Sequence, residues 1–261
     1  LKRGAMDYVA KPFTPEEILE VVQNAAQAKT ASGTAKMLDL MAVVSHELKS
    51  PLAAVQTTAE TLHRGYFGRL APEQMKIVET ILRNCAYLED VIRSYVDLSK
   101  MELDGLAAFG REIRLGADVV SEILEAAEVK DNLKGMTVVA ETVDDPVLHG
   151  DPELLKIVVR NLVNNAVKYG KEGTAVKVRL EVRGGEVILS VFNEGVGISP
   201  EDIKNRLFKR FERLRQKGTE GVKGSGLGLY ICKTIVEKHK GRIWAESEPG
   251  AWVRLSVALP L

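Results

Sequence analysis

Residues 37–63 read MLDLMAVVSHELKSPLAAVQTTAETLH, and the spacing of apolar side chains along this stretch decides the first half of the fold. Met41, Ser45, Leu48, Leu52, Val55, Ala59 and Leu62 follow one another by alternating steps of four and three. Such alternation keeps returning to one side of an α-helix and marks a heptad seam. After a turn-forming stretch from Gly65 to Pro72, the same rhythm resumes in Val78, Ile81, Cys85, Leu88, Ile92 and Tyr95. Two helices joined by a short turn make an antiparallel hairpin whose apolar stripe is narrow. A second copy is the natural cover for that stripe, so the expectation is a homodimer built around a four-helix bundle.

Composition bounds the rest. At 261 residues the chain is long for one core and comfortable for two. Lys plus Arg and Asp plus Glu number 36 each, so no global charge draws the chain to nucleic acid or anionic lipid. Cys85 and Cys232 are too few for a disulfide framework and lie in helical apolar patterns, which suits a reducing cytoplasmic setting. No apolar run approaches the roughly 18–20 residues that span a bilayer, so no membrane segment is expected in this chain.

Beyond residue 105 the texture changes to short strands alternating with helices. Strands are expected at Thr137 to Glu141, Ala175 to Val182, Val187 to Asn193, Arg242 to Ser247 and Trp252 to Leu259. Helices are expected at Gly116 to Asp131, Pro152 to Tyr169 and Leu227 to His239. Gly184-Gly185 between two alternating runs reads as a β-hairpin. The fold class is therefore α plus α/β: a helical hairpin at 37–105, then an α/β sandwich at 106–261 with helices on one side of its sheet. Ahead of the hairpin, residues 1–28 read as a strand, a turn and a helix capped by Thr14 and opened by Pro15, and KTASGTAK at 29–36 reads as a linker. The chain opens at Leu1 inside a structured element, from which an upstream extension is expected.

Four clusters carry chemistry. His46 lies one residue past Ser45 of the seam, on the outer shoulder of the bundle, with Glu47 more exposed still. A carboxylate beside an exposed imidazole can take a proton from one ring nitrogen while the other attacks phosphorus. Pro51 removes an amide just past this site and is expected to kink the helix. In the second cluster, Asn161, Asn165 and Lys168 recur on one helical face and Tyr169 follows. Amide oxygens with a lysine suit a hydrated Mg²⁺ and its phosphates, and a tyrosine can cover a purine. The third and fourth are glycine clusters, Asn193-Glu194-Gly195-Val196-Gly197 after a strand and Gly224-Ser225-Gly226-Leu227-Gly228-Leu229 opening a helix. Glycines let backbone amides approach phosphate at a helix N-terminus. Between these two, residues 207–223 hold Phe208 and Phe211 as expected anchors and Arg213, Arg215, Lys217 and Lys223 among glycines, as a lid would.

Taken in order, His46 to Leu52, Asn161 to Tyr169, Asn193 to Gly197, Phe208 to Phe211 and Gly224 to Leu229 resemble the five signature boxes of sensor histidine kinases. The resemblance covers residues 37–261 and implies a dimerization and phosphoacceptor hairpin followed by the ATP-binding fold shared with gyrase and the Hsp90 chaperone. It implies that His46 is phosphorylated from Mg-ATP, that Glu47 helps deprotonate it, and that a response-regulator receiver domain accepts the phosphoryl group. It further implies Asn165 as the Mg²⁺ ligand, Asn161 and Lys168 on the phosphates, and Tyr169 over adenine. Gly195 and Gly197 would shape the adenine pocket, Gly224, Gly226, Leu227 and Gly228 its phosphate end, and Arg213 and Lys223 would be lid cations.

Two positions depart from the family pattern. Asn193 stands where an aspartate usually accepts from the adenine amino group, and an amide oxygen can accept that bond. Ser50 stands four residues after His46, where Thr or Asn often helps water attack a phosphorylated partner, so dephosphorylation of that partner is a further expectation. The opening stretch Gly4 to Phe13, with Lys11-Pro12, resembles the last strand and helix of a receiver domain. Two other readings of the residues stay open at this point. One is an ATPase or serine/threonine kinase in which the hairpin only dimerizes, and the other a non-catalytic scaffold, prompted by Asn193.

Overall fold

The computed structural model describes residues 34–103, 111–125, 135–214 and 224–261. The receiver-like opening at 1–28, Arg215, Lys217 and the lid cation Lys223 lie outside the described residues.

Helix α1 (Thr34–His63) and helix α2 (Pro72–Leu103) form the expected hairpin, α1 beginning three residues ahead of the start read from the sequence. α1 runs on through Pro51. Ser45, Ala59, Val78 and Cys85 are buried along the seam, while Val55 and Ile81 stay exposed. The turn between the helices closes through Gly65 and Gly68, both at positive φ, with the Gly68 amide donating to the Gly65 carbonyl.

The second domain is built on a five-stranded sheet. Strands β2 (Thr137–Thr142), β4 (Ala175–Arg183), β5 (Glu186–Glu194), β6 (Arg242–Glu248) and β7 (Trp252–Pro260) lie in the order β2-β4-β5-β7-β6, parallel only between β2 and β4. One face of the sheet alternates Val176, Val178, Leu180, Val187, Leu189, Val191, Val253, Leu255, Val257 and Leu259, all buried. Helices α4 (Pro152–Tyr169) and α6 (Gly228–Lys238) cover that face, α4 contributing Leu154, Leu155, Val158, Val159, Leu162 and Val163. The period-two stripe of the strands thus meets the period-3.6 stripe of the helices, which makes the two-layer sandwich. β4 and β5 form the hairpin expected across Gly184-Gly185, both at positive φ.

Four elements were not anticipated. Strands β1 (Glu112–Arg114) and β3 (Val147–His149) pair antiparallel in a small separate sheet, and each is only three residues long, too short for alternation to register. The helix expected from Gly116 starts instead as a π-helical turn, Leu115–Val120, followed by α3 (Ser121–Glu125). Asp145 supplies the reason: its carboxylate accepts from the Gly116 and Ala117 amides at 2.6 and 3.0 Å, and the Ser121 amide donates back to the Gly116 carbonyl. The short helix α5 (Pro200–Asn205) is capped by Ser199, whose hydroxyl accepts from the Asp202 amide at 3.1 Å.

The two domains touch. Tyr95 and Leu98, near the end of α2, pack into the core of the sandwich, and the buried Asp97 accepts from Arg160 of α4 at 2.7 Å.

Candidate functional site

The site grows from α4. Asp151 caps the helix, accepting from the Glu153 and Leu154 amides at 2.9 and 3.2 Å, and Pro152 occupies the first helical position. With one face of α4 sealed into the core, Asn161, Asn164, Asn165 and Lys168 fall on the opposite flank and line a cleft. The space between its walls, open solvent at the mouth included, is about 1090 Å³. The far wall comes from the two glycine clusters and the residues leading into the lid.

One end of the cleft is shaped by β5 and the loop behind it. Asn193 is buried and its Nδ2 donates to the Glu194 carbonyl at 3.1 Å, which leaves the side-chain oxygen as its acceptor. Gly197 sits at φ +65°, and a Cβ there would stand 2.1 Å from the Glu248 carbonyl oxygen. Gly195 is held just outside the lining. Its amide donates to Ala251, and its Cα faces the Tyr169 carbonyl so closely that a Cβ would lie 2.3 Å from that oxygen. Tyr169 lines the cleft half-buried, and burial pushes its phenol above the ordinary value, opposed by the nearby Arg213 guanidinium.

The other end is made where α6 begins. Gly226 sits at φ +70°, its carbonyl accepting from the Phe211 amide at 3.0 Å, so the backbone on either side of residues 212–225 is tied together. Gly228 lies against Asn161, a Cβ there falling 3.0 Å from Asn161 Oδ1. Oδ1 is thus the atom that lies against Gly228, while Nδ2 of this cleft-lining residue is buried without a hydrogen-bond partner. Such a group costs about 1–3 kcal/mol unless a ligand accepts from it.

Of the residues expected from the sequence, the fold brings Asn161, Asn165, Lys168, Tyr169, Asn193, Gly197, Arg213, Gly224, Gly226 and Gly228 around one cleft. Leu227 is placed differently: its side chain is fully buried in the core, and its amide donates to Ser225 Oγ at 3.3 Å. Phe208 packs against the core as expected, but Phe211 is not an anchor. It is 52% exposed at φ +62°, with Arg210 over its ring. Sequence reasoning missed Asp90 and Ser94, and took Ser225 only as a member of its glycine cluster. Asp90 lines the cleft from α2, and a contact with Lys168 across 78 residues leaves no local pattern to read.

Two family models match the chain. Residues 36–104 match the His Kinase A (phospho-acceptor) domain, and residues 150–261 match the histidine kinase-, DNA gyrase B- and HSP90-like ATPase. The chain is 30% identical over 249 residues to the sensor histidine kinase TmoS of Ectopseudomonas mendocina, covering 94% of this chain and 24% of that protein. It is 31% identical over 235 residues to the sensor-like histidine kinase SenX3 of Mycobacterium tuberculosis, covering 90% and 56%. The chain belongs to the sensor histidine kinases. It spans about a quarter of the first relative's length and just over half of the second's. Full-length ShkA, solved in complex with AMPPNP, shares the fold at a TM-score of 0.57 and 20% identity, over 85% of this chain and 45% of that one.

In this sensor histidine kinase chain the helix α1 carries His46, with Glu47 and Ser50 exposed beside it, while the cleft lies in the second domain. Among the described residues no helix is long and apolar enough to cross a membrane.

Proposed function

We propose that the chain is the catalytic portion of an ATP-dependent protein-histidine kinase that transfers the γ-phosphoryl group of Mg-ATP to its own His46 and then to an aspartate of a response-regulator receiver domain. The observation that carries this reading is the buried, unpartnered Nδ2 of Asn161 in a cleft that Lys168, Gly226 and Gly228 also line, on the same chain as a His-Glu pair in a seam helix. An orphan donor, a lysine and a glycine-opened helix N-terminus form a receptor for polyanionic phosphate.

In this reading Asn161 and Lys168 hold the phosphates, Gly224, Gly226 and Gly228 let the backbone approach them, and the Asn193 oxygen accepts from the adenine amino group. Arg213 and Lys223 act from the lid. Mg²⁺, when bound, neutralises phosphate charge, and the Asn165 amide oxygen would hold it together with phosphate and water oxygens. Glu47 takes the proton from one imidazole nitrogen of His46 as the other attacks. Because phosphoryl transfer passes through a loose transition state, positioning and charge neutralisation are most of what the chain must supply. The exposed apolar seam supports action as a homodimer, Ser50 supports a further role in dephosphorylating the partner, and the two buried thiols support a cytoplasmic location. The receiver-like stretch at 1–28 and a linker before the hairpin are proposed as its lead-in.

The test is incubation with γ-labelled ATP and Mg²⁺, comparing the chain with His46→Gln and splitting each sample into acid and alkali. Label that is lost in acid, survives alkali and disappears in His46→Gln is the expected result. Acid-stable label, or label that persists in the variant, would sink the proposal.

A further inference from the structure

Helix α2 does more than pair with α1. Asp90, Ser94 and Asp97 follow by steps of four and three, so they share one face, and all three meet the second domain. Asp90 Oδ2 accepts from the Ser225 amide at 3.2 Å and lies 3.5 Å from Lys168 Nζ. Ser94 Oγ and Ser225 Oγ are 2.8 Å apart. One turn further on, Asp97 pairs with Arg160, the residue before Asn161.

The carboxylate therefore takes the amide of the second glycine cluster and the lysine ammonium, the donors a bound phosphate would use. We propose that Asp90 occupies the phosphate end of the cleft as an internal anion, so that phosphates entering the cleft displace it and loosen α2 from the ATP-binding domain. This rests on the nucleotide reading given above. The two ends of the contact are unequal. Asp90 and Lys168 are 42% and 29% exposed, and such pairs hold weakly, whereas Asp97 and Arg160 are 8% and 23% exposed with a 2.7 Å bond. Phosphates carry more charge than one carboxylate, so the exchange favours the nucleotide at the Asp90 end while Asp97 remains as a pivot. Linkage makes the device reciprocal: what frees α2 tightens nucleotide binding, and nucleotide frees α2.

The test uses the full chain, with Mg-ADP and adenosine as probes in calorimetry and amide exchange of residues 86–98 followed with and without Mg-ADP. Asp90→Asn keeps the shape and removes the charge. It should tighten Mg-ADP about fivefold, the lower end for coupled sites, and leave adenosine unchanged because adenosine has no phosphate to compete. In the wild type, Mg-ADP should speed exchange around residue 90. Unchanged or weaker Mg-ADP binding in Asp90→Asn overturns the proposal. So does an equal gain for adenosine, or exchange that Mg-ADP leaves unaltered or slows. Absence of binding by both probes to both proteins would overturn the nucleotide reading, and this inference with it.

Discussion

Gly197 shows what a single position in this molecule must satisfy. Its φ of +65° is costly for any residue with a Cβ, and the Cβ itself would sit 2.1 Å from the Glu248 carbonyl at the end of β6, a backbone atom unable to swing aside. Gly197→Ala is expected to cost about 3 kcal/mol, summing backbone strain and overpacking. Nucleotide affinity should fall by about tenfold or more as the loop withdraws from the cleft. Thermal unfolding and calorimetry with Mg-ADP read the two effects. An alanine variant of wild-type stability would show that the Gly197–Glu248 approach constrains nothing. The glycine was visible in the sequence, but its reason was not, because the opposing carbonyl lies 51 residues away. Asn161 was easier to find, since its spacing to Asn165 and Lys168 is a property of one helix. Its orphaned Nδ2 became evident only in the folded chain, where burial leaves that atom without a partner. Phe211 misled because an aromatic in a glycine-bearing stretch reads as an anchor, whereas its backbone, tied to Gly226, turns the ring outward.

At the scale of elements, legibility followed length and periodicity. The long helices and the four strands of nine or seven residues stood out, while β1 and β3 escaped because three residues cannot display an alternation. α5 carried its own cap, Ser199 with Pro200 and two acids behind it, and was simply short. The π-helical turn was beyond sequence reasoning, since Asp145, which holds its first amides, arrives from a separate loop. The join of α6 to α4 is likewise a tertiary matter, and it gives a pH dependence. His239 is buried past the end of α6, its Nδ1 donating to the Ile235 carbonyl at 2.8 Å and its Nε2 accepting from the Asp151 amide at 3.0 Å. A second ring proton would face the Asp151 N–H. Burial pushes the imidazole below its ordinary 6.5, with Lys238 adding to this and the Ile235 bond and Asp151 opposing. Below pH 6.5 the unfolded chain then binds the proton that the folded chain refuses. Stability is present above about pH 6.5 and is lost as pH falls toward the lowered folded value. Urea unfolding from pH 7.5 to 5 should show this decline, and His239→Gln should flatten it while lowering stability at pH 7.5 by about 1–3 kcal/mol for the buried amide bonds it disturbs. Equal slopes in the two proteins would remove His239 as the cause.

Taken as a whole molecule, the chain covers its two apolar layers unequally. The sandwich seals its helix-facing side, with Val176, Val187, Leu162 and Ile231 all at 0% exposure. The hairpin does not: Val55 is 50% exposed, Ile81 37% and Ile77 61%, and the first two are seam positions by the heptad count. A seam residue exposed in the single chain but periodic with buried ones is what a four-helix bundle leaves behind when its second half is removed. A soluble surface could instead have held polar residues there at little cost. Val55→Lys with Ile81→Lys would set like charges into the seam of each copy, and burying an ammonium without a partner costs more than the apolar contact returns. Sedimentation velocity at about micromolar concentration should then show wild type as a dimer and the double variant as a monomer with its second domain intact by thermal unfolding. A double variant that still dimerizes would place the second copy on another face and leave the seam unexplained. If the variant is monomeric yet still labels His46 from ATP, phosphorylation runs within one chain. If label disappears while Mg-ADP binding is unchanged, the cleft of one copy serves the histidine of the other.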